Sequence, residues 1–212
     1  MKEQLIIIGA RGFGREVYNL ALESKGYGVA FDIKGFLDSK TDALDGYVGY
    51  PPILDSVEDY VPCRHDVFIC ALGDTAFKKL YVEKIQAKGG RFISLVHQTA
   101  LIDRNTTLGM GCIVCAYTHV SCDIHIGDFV TLQPFTMIGH DARIGDFCHL
   151  NCYSFMGGFS ELEDEVTLQT GAKVLPHKKV GAGSMVGAGS VVVTKVKPGI
   201  TVHGNPAVRI EF

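Results

Sequence analysis

The chain has 212 residues, 47% of them hydrophobic, and a formal net charge of -3 at pH 7; that suffices for one large domain or two modest ones with packed cores. The weakly acidic balance carries no basic footprint for nucleic acid. No apolar run reaches a membrane-spanning length, and the start, Met1-Lys2-Glu3-Gln4 followed by four aliphatics, is not that of a signal peptide, so a cytoplasmic protein without membrane insertion is expected.

Residues 4–9, Q-L-I-I-I-G, form a short apolar run suited to a buried parallel strand, and Gly9-Ala-Arg-Gly12-Phe-Gly14 follows at once. The next stretch, Arg15 to Lys25, puts Val17, Leu20, Ala21 and Ser24 on one helical face and closes at Gly26. Strand, glycine-rich turn and helix together form a phosphate cradle: glycines, Gly12 among them, admit close backbone approach, and the helix amino terminus presents N–H groups to an anion. A second strand is predicted over Val29 to Leu37, ending in Asp38-Ser39-Lys40, and a third over Val67 to Leu72, ending in Gly73-Asp74. A helix over Thr75 to Lys88 closes before Gly89-Gly90, and a strand over Arg91 to Val96 leads to His97. This alternation describes a small Rossmann-like α/β unit, with domains expected at 1–97 and 98–212. The turn's spacing, G-x-x-G-x-G, is not the G-x-G-x-x-G of dinucleotide folds. From the motif alone, a nucleotide sugar, a dinucleotide with Asp38 on its ribose and a turn without ligand stand level.

From Ile102 to Val192 an aliphatic residue then returns at every sixth position, sixteen times. A period of six is neither the 3.6 of a helix nor the alternation of a plain strand, so it describes a short strand, a turn and a repeat. Four residues after most anchors stands a small residue, such as Cys112, Thr118, Thr136, Cys148 or Ser154, which shares the anchor's inward side. The anchor's neighbour is often glycine (Gly109, Gly127, Gly139, Gly145, Gly157, Gly181, Gly187), read here as the residue a corner requires. Repeats of this kind build a parallel β-helix. Three hexads per coil give about five and a third coils. The seven cysteines are odd in number and lack an export signal, which argues for free thiols. Cys112-x-x-Cys115 has no second pair to complete a zinc site, and core packing is the better reading.

The hexads, with V-G-A-G-S-M-V-G-A-G-S-V-V at 180–192 and G-N-P-A at 204–207, resemble the left-handed β-helix of the hexapeptide acyltransferases. G-A-R-G-F-G after strand one, F-L-D-S after strand two and A-L-G-D after strand three extend the likeness over essentially the full chain. As a whole it resembles the NeuD/PglD-like sugar acyltransferases, typified by the bacillosamine-pathway N-acetyltransferase and its sialic-acid-locus relatives. The resemblance implies an acetyl-CoA-dependent N-acetyltransferase acting on a UDP-linked 4-amino-4,6-dideoxy sugar, assembled as a homotrimer. It implicates Arg11, Gly12, Phe13, Asp38, Ser39 and Gly73 in holding the nucleotide sugar. Asp38-Ser39 stands where a relative can show two acidic residues. It also implies His140 and Asp141 as the catalytic pair, His149 and Gly158 at the thioester end of acetyl-CoA, and Thr170 and Ala188 along the pantetheine. Lys178, Lys179, Lys195 and Lys197 are candidates for the CoA phosphates.

The chemistry suits the pair in M-I-G-H-D-A-R. An amine attacking a thioester must shed a proton, and an imidazole beside a carboxylate is a competent base near neutral pH. No serine or cysteine is paired in sequence with a base, so direct attack without an acyl-enzyme is expected. Eight histidines on such a prism also raise a zinc site like that of the γ-carbonic anhydrases, but no three match that motif, and no metal is expected. An O-acetyltransferase on a sialic acid or polysaccharide precursor and a non-catalytic nucleotide-sensing trimer remain as alternatives.

Overall fold

Leu5, Ile6, Ile7 and Ile8 have no exposed surface in the computed structural model, which describes residues 2–210. They belong to β1 (Glu3–Ile8), the central strand of a parallel sheet. Beside it lie β2 (Phe31–Leu37) and β3 (Ile53–Asp55) on one side, and β4 (Asp66–Cys70) and β5 (Arg91–Phe92) on the other, in the order β3-β2-β1-β4-β5. A strand covered on both faces has no reason to alternate, which is why β1 and the wholly buried β4 read as continuous apolar runs. Helix α1 (Gly12–Leu22) packs Val17, Leu20 and Ala21 inward, and α2 (Thr75–Ala87) follows β4. The chain divides into two units, Met1–Gln98 and Thr99–Phe212.

Most boundaries fall within two residues of the sequence reading, and the larger differences have physical reasons. Helix α1 starts at Gly12, three residues early, because the Arg15 N–H already reaches the Arg11 carbonyl at 2.9 Å. It also ends before Gly26, with Glu23 as its last cap. The strand expected over Arg91 to Val96 is broken: only Arg91–Phe92 joins the sheet, and Leu95–Val96 is separate. Strand β3 escaped prediction because it is three residues long and follows Pro51-Pro52.

In the second unit, two-residue strands recur every six residues and wind a left-handed triangular prism. Each strand pairs in parallel with those one coil below and above, as His119–Val120 does with Leu101–Ile102 and Met137–Ile138. The first face runs from Leu101–Ile102 to Val191–Val192, the second from Thr107–Leu108 to Lys179–Val180, and the third from Ile113–Val114 to Met185–Val186. The third face is extended by Thr201–His203 and an antiparallel Val208–Ile210. From Val114 to Val192 every aliphatic anchor is at most 1% exposed. Each such burial contributes about 1.5–3 kcal/mol before entropy is counted.

The corners differ from expectation. Positive φ falls not on the glycines beside the anchors but three residues before each next anchor, at every sixth residue from Asn105 to Gly189. Most of these positions hold a side chain, among them Tyr117, Phe129, Phe135, Asp141, Phe147, Tyr153, Phe159 and His177. A left-handed conformation costs about 1–2 kcal/mol for an L-residue. Stacking between successive coils offsets part of that cost, at about 0.5–1.5 kcal/mol per aromatic pair: Tyr117 on Phe135, Phe135 on Tyr153, Phe129 on Phe147 and Phe159 on His177, all with ring centroids between 4.9 and 5.2 Å. The neighbouring glycines answer a different need. A Cβ on Gly109 would lie 2.5 Å from the Gly127 carbonyl oxygen of the next coil, so they are small because the next coil passes against them.

In the first unit a buried network fastens the long connection after β3. Asp66 accepts from Lys34 Nζ at 2.8 Å, the Tyr60 hydroxyl at 2.7 Å and the Cys63 N–H at 2.8 Å. Burial pushes the Asp66 carboxyl up, but these three donors outweigh it and hold the group below its ordinary range. Its contribution to stability is therefore full above pH 3.8 and is lost as the pH falls through the depressed value. Asp66→Asn should cost about 1–3 kcal/mol in urea unfolding at pH 7, because one donor loses its acceptor. The difference from wild type should shrink below about pH 4; a difference that stays constant into acid would contradict the ionic origin.

Candidate active site

Two regions carry the residues that the sequence singled out. The first is a cavity of about 490 Å³ at the carboxyl ends of β1, β2 and β4, where the strand order reverses about β1. Arg11, Phe13, Asp38, Ser39 and Gly73 all line it. Asp38 organises the rim: one carboxylate oxygen accepts the Ala10 N–H and the other the Lys40 N–H, both at 2.9 Å, and Arg11 Nε lies 3.9 Å away. Gly12 lines an adjoining cavity of about 340 Å³ instead, together with Arg11, Arg15 and Lys40. Those cations and the first N–H groups of α1 offer positive charge to an anion, partly balanced by Asp45 and by Asp42, which lies 3.6 Å from Lys40 Nζ.

The reason for the glycines also changes. A Cβ on Gly12 would meet nothing within 4 Å, whereas one on Gly14 would fall 1.9 Å from the Gly9 carbonyl oxygen. Gly14, buried in the first turn of α1, is the residue whose size the fold restricts. The sequence reading missed the aromatic wall of the cavity, Phe77 and Tyr81. Asp74 caps α2 by accepting the Phe77 N–H at 3.0 Å, and this fixes the start of a helix that carries both rings on one side. Phe77 is 58% exposed. An aspartate cap with aromatics three and seven residues later was the available signal.

The second region is an edge of the prism, between the first and second faces. Asp141 sits in the left-handed corner at φ 57, and this turns its carboxylate back onto the preceding residue: Oδ2 lies 2.8 Å from His140 Nδ1. Adjacent residues on a plain strand point apart, so the contact is a product of the corner. Phe159, one coil above Asp141, meets the imidazole edge-on, with centroids 5.3 Å apart and planes at 89°. Beside the pair lies an open polar cleft bounded by Asp123, His125, Asp141, Arg143 and Phe159. The Asp123 carboxyl is held below its ordinary range by hydrogen bonds from Asn105 and Cys122 and by the nearby His140. The same Asp123 contact raises the Cys122 thiol, which makes the nearest cysteine a poorer nucleophile.

The remaining residues do not all converge within one chain. Gly158 shares the edge with His140, directly one coil above it. Thr170 and Ala188 are exposed on the edge between the third and first faces, and His149 is buried on the third face. Of the lysines considered for the CoA phosphates, Lys179 is already engaged by Glu161 and Glu163, at 2.7 Å each. Lys178, Lys195 and Lys197 form no such pair in the structure's salt bridges among the described residues. No group of three or more side chains there is placed to hold a metal ion.

Residues 4–85 match the PglD N-terminal domain. The chain is 30% identical over 151 residues to the GDP-perosamine N-acetyltransferase of Escherichia coli O157:H7, covering 69% of this chain and 68% of that one. It belongs to the NeuD/PglD-like sugar acetyltransferases. Among solved members of similar fold, the acetyltransferase domain of PglB from Neisseria gonorrhoeae FA1090 is 28% identical, with a TM-score of 0.90 and coverage of 99% and 100% of the two chains. A histidine-to-asparagine variant of perosamine N-acetyltransferase from Caulobacter crescentus, in complex with CoA and GDP-perosamine, is 25% identical, with a TM-score of 0.88 and coverage of 99% and 97%. The chain is accordingly an acetyltransferase.

Gly14→Ala should lose more than about 2 kcal/mol of stability, because its methyl group overlaps the Gly9 carbonyl. Gly12→Ala should unfold within about 1 kcal/mol of wild type, the usual range for a helix-terminal substitution in open space. Equal losses in thermal unfolding would refute this division of roles.

Proposed function

We propose that the protein transfers the acetyl group of acetyl-CoA to the amine of a UDP-linked 4-amino-4,6-dideoxy sugar, with His140 as general base and no covalent intermediate. The 2.8 Å contact between His140 Nδ1 and Asp141 carries this reading. A carboxylate accepting the Nδ1–H leaves the lone pair on Nε2, the form that can take a proton. As the sugar nitrogen attacks the thioester carbonyl, a C–N bond forms, the ammonium proton passes to Nε2, and collapse of the tetrahedral intermediate breaks the C–S bond. The imidazolium then returns that proton to the CoA thiolate. A backbone N–H at Gly158 supplies the donor for the oxyanion.

The amino-terminal cavity holds the nucleotide, with Phe77 and Tyr81 against the base and Arg11, Arg15, Lys40 and the α1 amino terminus toward the diphosphate. The resemblance to the bacillosamine-pathway N-acetyltransferases is what implies uridine. A guanosine diphosphate carrier is the second reading, favoured by the relatives named for GDP-perosamine. The same names favour an amine over a hydroxyl as acceptor.

Two observations support a homotrimer. His140 and Gly158 lie on one edge of the first face and Thr170 and Ala188 on the other, so a second copy is needed to bring these groups together. The surface between them exposes Leu101, Met137, Tyr117, Phe135 and Tyr153, an apolar strip that a second copy would cover.

Incubation with acetyl-CoA and a panel of UDP-, GDP- and dTDP-linked amino sugars, with thiol release as readout, tests the reading. Turnover of UDP-4-amino sugars is expected, while preference for a GDP sugar would move the assignment to the second reading. His140→Ala should lower kcat by about 10² to 10⁴ with both substrates still bound. Near-normal turnover, or an acetyl group trapped on a cysteine, would overturn the mechanism. Sedimentation equilibrium should give three copies; an active monomer would remove the shared site.

A further inference from the structure

Asp141 fixes one nitrogen of His140 but not the tilt of the ring, and the coil above supplies what the carboxylate does not. A Cβ built on Gly158 would lie 2.8 Å from both Cε1 and Nε2 of His140 and 3.3 Å from Cδ2. The imidazole therefore rests where any side chain at position 158 would stand. Gly158 does not have a positive φ, so its backbone would accept alanine and only the imidazole objects. Phe159 closes the next side edge-on and is itself braced by His177, stacked at 5.0 Å and 5°. The backbone locks this arrangement, since the Phe159 N–H donates to the His140 carbonyl and the His177 N–H to the Gly158 carbonyl, both at 3.0 Å.

We infer that Gly158 and Phe159 are positioning residues that form a socket for the catalytic imidazole, a role separate from any contact of Gly158 with the thioester. The inference rests on His140 as general base. Nε2 is the atom that must meet the sugar amine, and Gly158 and Phe159 set where it points. A displacement of about 1 Å at such an atom can cost about 10²-fold in rate.

Gly158→Ala keeps the backbone N–H, so an oxyanion donor there survives while the bed under the ring is filled. Its kcat should fall about 10- to 100-fold, with KM for acetyl-CoA and for the acceptor within about threefold of wild type. Made on a His140→Ala background, the same substitution should cost nothing further, because no ring is left to displace. Phe159→Tyr should retain most of the activity, and Phe159→Leu should not. A crystal structure of Gly158→Ala should show the imidazole turned away from Asp141. Unchanged kcat, an equal further loss on the His140→Ala background, or an unmoved imidazole in the crystal would each overturn the socket. If the wild-type protein acetylates none of the panel, the proposed function fails, and the crystal structure still decides the socket.

Discussion

The parallel pairing between coils is the constraint on which the candidate active edge of the prism depends. Each two-residue strand hydrogen-bonds to the strand one coil away with no register shift from Leu101 to Val192. Residues distant in sequence are thereby placed one above another: Cys122, His140 and Gly158 in one row, and Asp123, Asp141, Phe159 and His177 in the next. A single bulge between Cys122 and Gly158 would send the imidazole, its carboxylate and its glycine bed to different heights or faces. The buried anchors make such a slip expensive, because it would turn aliphatic side chains outward.

The amino-terminal unit solves a different problem with the same economy of means. A nucleotide cradle needs a turn that is open to the ligand yet fixed in place. Here the fixing is done from behind: Gly14 lets α1 close onto the Gly9 carbonyl, and Asp38 draws the glycine turn and the β2 turn together by two backbone hydrogen bonds. The cavity is therefore bounded by strand ends whose positions the sheet dictates, with Phe13 and Gly14 contributed by the first turn of α1 and Phe77 and Tyr81 by α2.

How much of this was legible follows from how local each signal is. The anchors could be read because a six-residue period survives any choice among valine, leucine, isoleucine and methionine. The glycine turn could be read because it directly follows a buried strand. The corners could not: Tyr117, Phe135 and Tyr153 look like ordinary apolar residues until one knows that they stack across coils and hold positive φ. The glycines beside the anchors look like corner residues in sequence, yet the space they leave is for a backbone from another coil. The partner of His140 in sequence proved to be its partner in space, but only the corner at Asp141 explains why, and no spacing argument contains that dihedral. Resemblance alone singled out Gly158, while its position against the His140 ring required three dimensions.

The prism repeats on two scales, and they govern different properties. Its core repeats every hexad, so the gain or loss of six residues would leave the aliphatic columns intact and the solenoid wound. Every residue beyond the change would nevertheless advance by one edge, carrying Gly158 and Phe159 away from His140 and onto another corner. Only a gain or loss of a whole coil restores the vertical alignment. A hexad gained or lost between His140 and Gly158 would therefore leave the aliphatic columns in place and dismantle the proposed socket. Whole coils added outside the stretch from His140 to Phe159 would keep these residues aligned, whereas inside it the proposed socket, rather than the buried columns, sets the count.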